Sequence, residues 1–331
     1  MPPTRAAPRP TGRPAPTPPE SRALPMKPAL LPLFAALLAV SACERPLETE
    51  YREYTNLLAS TNRMRTDYDP PDAPVTRDGL IRDFETVALH SEEEAEEDRP
   101  KSSPAKPLTR WETPIRLRVF VSEAMEREDF EQSLAWIRET TARLTALSGV
   151  PIRVVTSGPL ERNTSEGTIT LFLADEDGRV QLADGFERRS GKPTRLSRRL
   201  RHHPGRVVCY FIPVEDDEDR IERALVLIPT ETRDALRHAC IQEEITQVMG
   251  LYNDADDVRP SMFNDDQEFA LLTRHDELLL RMLYDPALKT GMTAEDARPL
   301  LPAVADRALA ADAAGRDTPL RAPAGDAPTV R

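Results

Sequence analysis

Apolar and polar residues alternate along this chain with two periods, and the change between them outlines the folded part. Ile115-Arg116-Leu117-Arg118-Val119-Phe120-Val121 alternates with period two and predicts a strand with one polar face. From Phe130 to Leu147 the apolar residues Phe130, Leu134, Ile137, Leu144 and Leu147 fall at helical spacing, and Gly149 ends the run. Short β-rich runs follow at Ile152–Val155, Thr168–Leu173, Val207–Ile212 and Leu225–Ile228, and a helix is predicted over Arg233–Met249, closed by Gly250. The predicted order is strand, helix, four strands, helix, an α+β pattern. Upstream, Leu80, Ile81, Phe84, Val87 and Ala88 share a short helical spacing.

Outside this region the pattern fades. Residues 1–42 read as a signal region, with Met26 as the expected start, because the stretch before it is rich in Pro and Arg. Ala29 to Ala42 is an apolar run of 14 residues behind Lys27, too short to span a bilayer and suited to an export signal. It ends in Val40-Ser41-Ala42-Cys43, which resembles a bacterial lipobox. That resemblance implies cleavage before Cys43, lipidation of its sulfur and attachment to a bacterial membrane, facing the periplasm. Residues 43–110 read as a lipid-anchored tether with a short helix, including a solvated acidic run from Glu92 to Asp98. The folded domain is expected over 111–302. From Ala303 to 331 the Ala-, Pro- and Asp-rich sequence predicts disorder.

Composition narrows the function. The net charge of -12 over 331 residues argues against nucleic acid as a partner, since that needs a basic face. The basic stretch Arg188–Arg206 reads as a solvated insertion between strands. With Cys43 lipidated, Cys209 and Cys240 remain of the three cysteines, and a disulfide between them is expected to tie the last helix to the sheet, contributing about 2–4 kcal/mol.

The candidate chemistry lies in Cys240-Ile-Gln-Glu-Glu-Ile-Thr-Gln-Val-Met-Gly-Leu-Tyr-Asn-Asp254. This stretch resembles the zinc-binding helix of metzincin proteases, His-Glu-x-x-His-x-x-Gly-Leu-x-His-Asp, with every metal-binding histidine exchanged. Glu243, Gln247 and Asn253 stand at the three histidines, Glu244 at the catalytic Glu, and Gly250, Leu251 and Asp254 keep the family letters. Ser261-Met262-Phe263-Asn264 falls where a Met-turn would lie, and Leu272-Thr273-Arg274-His275-Asp276 opens a helix like the C-terminal helix of that group. The same residues are similar to an uncharacterised bacterial lipoprotein family, domain of unknown function 2927, over most of residues 80–300. The resemblance implies a zincin-like fold, a mixed five-stranded sheet with a backing helix, an active-site-like helix, a Met-turn-like turn and a C-terminal helix.

One carboxylate and two neutral amides form a poor zinc set, so zinc is not expected and no cofactor is required, whereas calcium or magnesium tolerates such oxygens. Three readings stay open. In the default reading the site is a structural remnant, a pseudoenzyme: Glu243 bonds Gln247, Asn253 and Asp254 cap the turn after Gly250, and the domain binds an envelope protein or a cell-wall polymer. In the second, a peptidase-like hydrolase uses Glu244 as general base and Gln247 as oxyanion donor. In the third, Glu243, Asn253 and Asp254 hold a hard cation. His238 points about 140° around the helix from Glu243, which leaves His275 as the one stray histidine to consider.

Overall fold

The computed structural model describes residues 46–91, 103–156, 167–194, 197, 198, 200 and 209–315. The signal region, Cys43, the acidic run, much of the basic stretch and residues 316–331 lie outside the described residues.

A five-stranded mixed sheet forms the centre, in the order β2-β1-β3-β5-β4. Its strands are β1 (Ile115–Val121), β2 (Ile152–Thr156), β3 (Thr168–Ala174), β4 (Tyr210–Glu215) and β5 (Ile221–Pro229). β1, β2, β3 and β5 run parallel, and β4 pairs antiparallel with β5 at one edge. The predicted alternation of β1 holds: Leu117 and Val119 are buried while Arg116 is exposed. β3 lies at the middle and is buried on both faces, as an apolar parallel strand should be.

The helices of the first half are α1 (Leu47–Ser60), α2 (Arg77–Ala88), α3 (Arg127–Ser148) and α4 (Glu176–Ser190); those of the second are α5 (Asp234–Gln247), α6 (Arg274–Leu283), α7 (Ala294–Ala297) and α8 (Leu301–Gly315). α3 ends at Gly149 in the left-handed conformation, φ 75°, which a glycine adopts without steric cost. α3 and α5 pack against each other beside the sheet, and Ile137, Leu144, Cys240, Ile241 and Ile245 join Leu117, Leu171 and Val226 in one core. Cys209 and Cys240 form the expected disulfide, with their Cα atoms 5.9 Å apart.

Three expectations are corrected. A helix, α4, stands between β3 and β4, where the sequence pattern predicted strand followed directly by strand. It is charge-rich and carries two glycines, which obscured its spacing, but Asp175 caps its start by accepting from Gly178 N at 2.9 Å and Gly191 ends it at φ 70°. Arg188 and Arg189 belong to its last turn, so the basic stretch between the strands begins on a helix. The supposed tether is folded: Tyr51, Leu58, Leu80, Phe84, Val87, Leu89 and Leu108 are all buried. Residues 46–91 and 103–110 therefore contribute to the core of the predicted domain, and truncating any one of the fully buried side chains there should cost about 2–5 kcal/mol. The C-terminal segment is likewise helical to Gly315. α8 packs Leu301, Val304, Ala305 and Ala308 into the core beside α2 and α6, because an Ala-rich run is a good helix former and its small side chains allow close approach.

Candidate functional site

α5 carries the signature. Its apolar face buries Leu236, Cys240, Ile241 and Ile245, and the same rotation brings Glu244 and Gln247 inside, at 4% and 3% exposure. Glu243 stays partly exposed. Side chains and backbone from two distant segments close the end of the helix. Trp111 Nε1 donates to Val248 O at 2.7 Å, and the Tyr284 hydroxyl donates to Met249 O at 3.0 Å. Gly250 follows at φ 118°, where a Cβ would stand 2.2 Å from the Thr109 carbonyl oxygen. Only glycine fits that position, both for its backbone angle and for the close passage of the 109 segment.

Beyond Gly250 the exchanged residues find protein partners. Gln247 Nε2 donates to both oxygens of Asp254, at 2.8 and 2.9 Å. Asn253, 1% exposed, donates from Nδ2 to Thr86 O at 3.1 Å and accepts from Ser103 Oγ at 2.9 Å, while its backbone N–H donates to Val87 O at 3.2 Å. Asn253 and Asp254 were expected to cap the turn locally. They instead link it to the end of α2, to the 103 segment and back to α5.

The donor set does not fit zinc. Of the three positions compared with metzincin histidines, two hold amides committed to other groups, and amide oxygens are weak ligands for zinc. No group of three or more His, Cys, Asp or Glu side chains placed to hold a metal ion occurs among the described residues. The hard-cation set is not drawn together either: Asn253 faces Thr86 and Ser103, Asp254 faces Gln247, and Glu243 lies toward α1. There the Tyr54 phenol is raised above its ordinary pKa, by burial first and by the Glu243 charge second.

The histidines of the signature region serve packing. His238 stacks on Trp136 with centroids 4.6 Å apart and planes 9° apart, and burial pushes its pKa down to about 4. His275, 1% exposed, lies with Nε2 3.0 Å from Asp83 Oδ2, bridging α6 and α2 rather than facing α5. Met262 is buried in the Met-turn-like segment. Its N–H donates to Asp276 Oδ2 at 3.2 Å, and Thr273 N–H and Oγ1–H donate to the same oxygen at 2.8 and 2.9 Å. Ser261 Oγ donates to the other oxygen of Asp276. One buried carboxylate thus caps α6 and holds the turn, and burial raises its pKa.

Several site residues are not predicted from the sequence: Tyr54, Thr86, Ser103 and Lys106. Lys106 Nζ sits 3.9 Å over the Tyr252 ring and 3.3 Å from Glu215, with a pKa lowered by burial to about 8. Ser103 and Lys106 stand in a polar segment with Pro104 and Pro107, which resembles a linker, and for all four no local pattern announces a contact that is made more than a hundred residues away. Around the turn before α6, Arg65, Asp72, Arg259 and Glu268 form a charge network joining the N-terminal strap to the 259–268 loop.

No curated protein and no solved structure matches this chain. A family model described as "Protein of unknown function (DUF2927)" matches residues 77–303, from the first residue of α2 to the start of α8, and encloses the whole sheet, α5 and the Met-turn-like segment. The match covers well over half of the chain, which therefore belongs to the DUF2927 family.

Proposed function

We propose that this is an exported envelope protein, lipid-anchored at Cys43, whose zincin-like domain binds or scaffolds and does not cleave. The observation that carries the reading is the commitment of Gln247 and Asn253 to Asp254, Thr86 and Ser103. In a hydrolase Gln247 would have to present its N–H groups to a substrate oxygen, whereas here Nε2 is already engaged with a carboxylate. A mixed sheet beside α5, a buried Met262 turn and α6 in that order support the zincin-like reading of the fold. Export and anchoring rest on the apolar run and on Val40-Ser41-Ala42-Cys43. No helix among the described residues is long and apolar enough to cross a membrane.

The test is metal content and activity of the purified chain after dialysis without chelator. We expect no stoichiometric metal, no rise of Tm with added calcium or magnesium, and no cleavage of casein or peptidoglycan-derived peptides. Stoichiometric zinc, or cleavage that disappears in Glu244→Gln, would overturn the reading in favour of a peptidase-like hydrolase. A Tm that climbs with calcium and no longer does so in Asn253→Ala would establish the hard-cation site instead. Anchoring is tested separately: Cys43→Ala should release the protein from the membrane fraction, and unchanged fractionation would refute the lipid anchor.

A further inference from the structure

α3 and α5 meet along a row of aromatic and polar side chains that the signature residues do not use. On α3, Trp136, Thr140 and Arg143 follow at helical spacing and share one face; on α5, His238 and Gln242 do the same. The Trp136–His238 stack joins the two rows. Trp136, Arg143, His238 and Gln242 are all partly exposed. Along α3 the row from Trp136 to Arg143 measures about 10 Å. Beyond Arg143 stands Tyr68, also partly exposed. Its ring lies 5.6 Å from the Arg143 guanidinium, and its hydroxyl donates to Glu277, the carboxylate that pairs with Arg143. An aromatic ring therefore marks each end of the row.

The row holds neutral hydrogen-bond donors in excess of acceptors. Among the described residues the indole N–H of Trp136 donates to no protein group, whereas the chain's other indole, Trp111, is bonded to Val248 O. Gln242 accepts from Leu272 N–H at 2.9 Å and donates to His238 Nε2 at 3.2 Å, which leaves its second amide hydrogen over. Thr140 is 1% exposed and its hydroxyl has no partner among the described residues. Ser133, Thr141 and Ser148 turn their hydroxyls back to the carbonyl four residues earlier, and Thr140 does not. Folded proteins rarely leave such a group unsatisfied. A ligand oxygen at the floor between the helices would satisfy it.

The chemistry of the row selects the ligand. The stacked imidazole is uncharged at neutral pH, since burial holds its pKa down to about 4, and the Arg143 charge is matched by Glu277. The row therefore has no unmatched charge with which to recruit an ion. It is not an apolar protein surface either: the exposed large apolar residues among those described are Leu57, Val121 and Val214, on α1, β1 and β4. A flat aromatic pair flanked by neutral donors suits a ligand with an apolar C–H face and a rim of oxygens, which is the shape of a sugar ring.

We propose that the groove between α3 and α5 binds a neutral glycan, with one sugar ring on the Trp136–His238 stack. His238 lies about 140° around α5 from Glu243, so the site is separate from the signature residues. The test titrates the full chain with chitotetraose and cellotetraose, read by tryptophan fluorescence and by calorimetry. Trp111 is 1% exposed, so a fluorescence change reports Trp136. A saturable change with at least one of the two sugars is expected. Trp136→Ala should lower the affinity at least about tenfold. Trp136→Phe keeps a ring on His238 and removes the N–H; it should fold, bind more weakly than the unaltered chain and bind more tightly than Trp136→Ala. Arg138→Gln, exposed on another face of α3, should bind as the unaltered chain does. No response to either sugar would overturn the proposal, as would binding that both Trp136 variants leave intact or that Arg138→Gln weakens equally. Shielding of Trp136 from acrylamide that grows with protein concentration, without a sugar response, would assign the row to contact between copies of this chain and would overturn it too. None of these outcomes depends on zinc content or cleavage, so either reading can fail while the other stands.

Discussion

Gly250 shows how much one residue decides. At φ 118° with the Thr109 carbonyl against its hydrogen, it cannot take a side chain without moving the backbone of another segment. Gly250→Ala should therefore destabilise the fold by more than about 2 kcal/mol, as a large drop in Tm or loss of soluble protein. His238 makes a second prediction at this scale. Its folded pKa, about 4, lies below the ordinary value of 6.5, so the unfolded chain binds more protons between these pH values. Stability from this group is full above pH about 6.5, falls as pH drops toward 4, and changes no further below that. The loss is on the order of 3 kcal/mol. Urea titrations from pH 7 to 4 should show a shallower slope in His238→Gln; an unchanged slope would mean that the stacked imidazole titrates normally. The motif singled out Glu243, Gln247 and Asn253. Their partners were not legible, because Thr86 and Ser103 are about 150 residues or more distant and carry no local signature.

The elements divide by how much of their stability is local. β1, α3 and α5 announce themselves through period and terminal glycines, and the structure follows the pattern to within a few residues. α1, α4 and α8 were missed because their sequences are charged or Ala-rich and show little apolar contrast until their neighbours are in place. α8 is the sharpest case. Truncation after Leu300, close to the boundary expected from the sequence, would uncover the surface packed by Leu301, Val304, Ala305 and Ala308. Such a chain should melt several degrees lower and be cleaved faster by trypsin; identical melting would show that α8 contributes nothing. The Cys209–Cys240 bridge ties α5 to the residue before β4 across a sequence separation of 31. Its reduction should cost about 3–4 kcal/mol. Two thiols that alkylate in the unfolded, unreduced protein would refute the bridge.

At the scale of the whole molecule, the family region from 77 to 303 holds the sheet, α5 and the Met-turn-like segment, and α1 with the 63–72 strap lies outside it. The strap is joined to the domain by the network of Arg65, Asp72, Arg259 and Glu268, in which the two arginines hold the Asp72 carboxyl well below its ordinary pKa. Pairs this exposed contribute little each and are screened by salt, so raising the ionic strength should speed amide exchange in α1 before it affects α5. Equal protection of the two helices at all salt concentrations would contradict this order. The sequence by itself determined the α+β class, the main strands and the signature helix, because these rest on local periodicity and on residue chemistry. Only the tertiary structure decided that α1, α2 and α8 contribute to the core and that Gln247 and Asn253 are bonded within the protein. Each of these depends on contacts between residues far apart in the chain, where burial and hydrogen-bond satisfaction act on the assembled surfaces and not on any one segment.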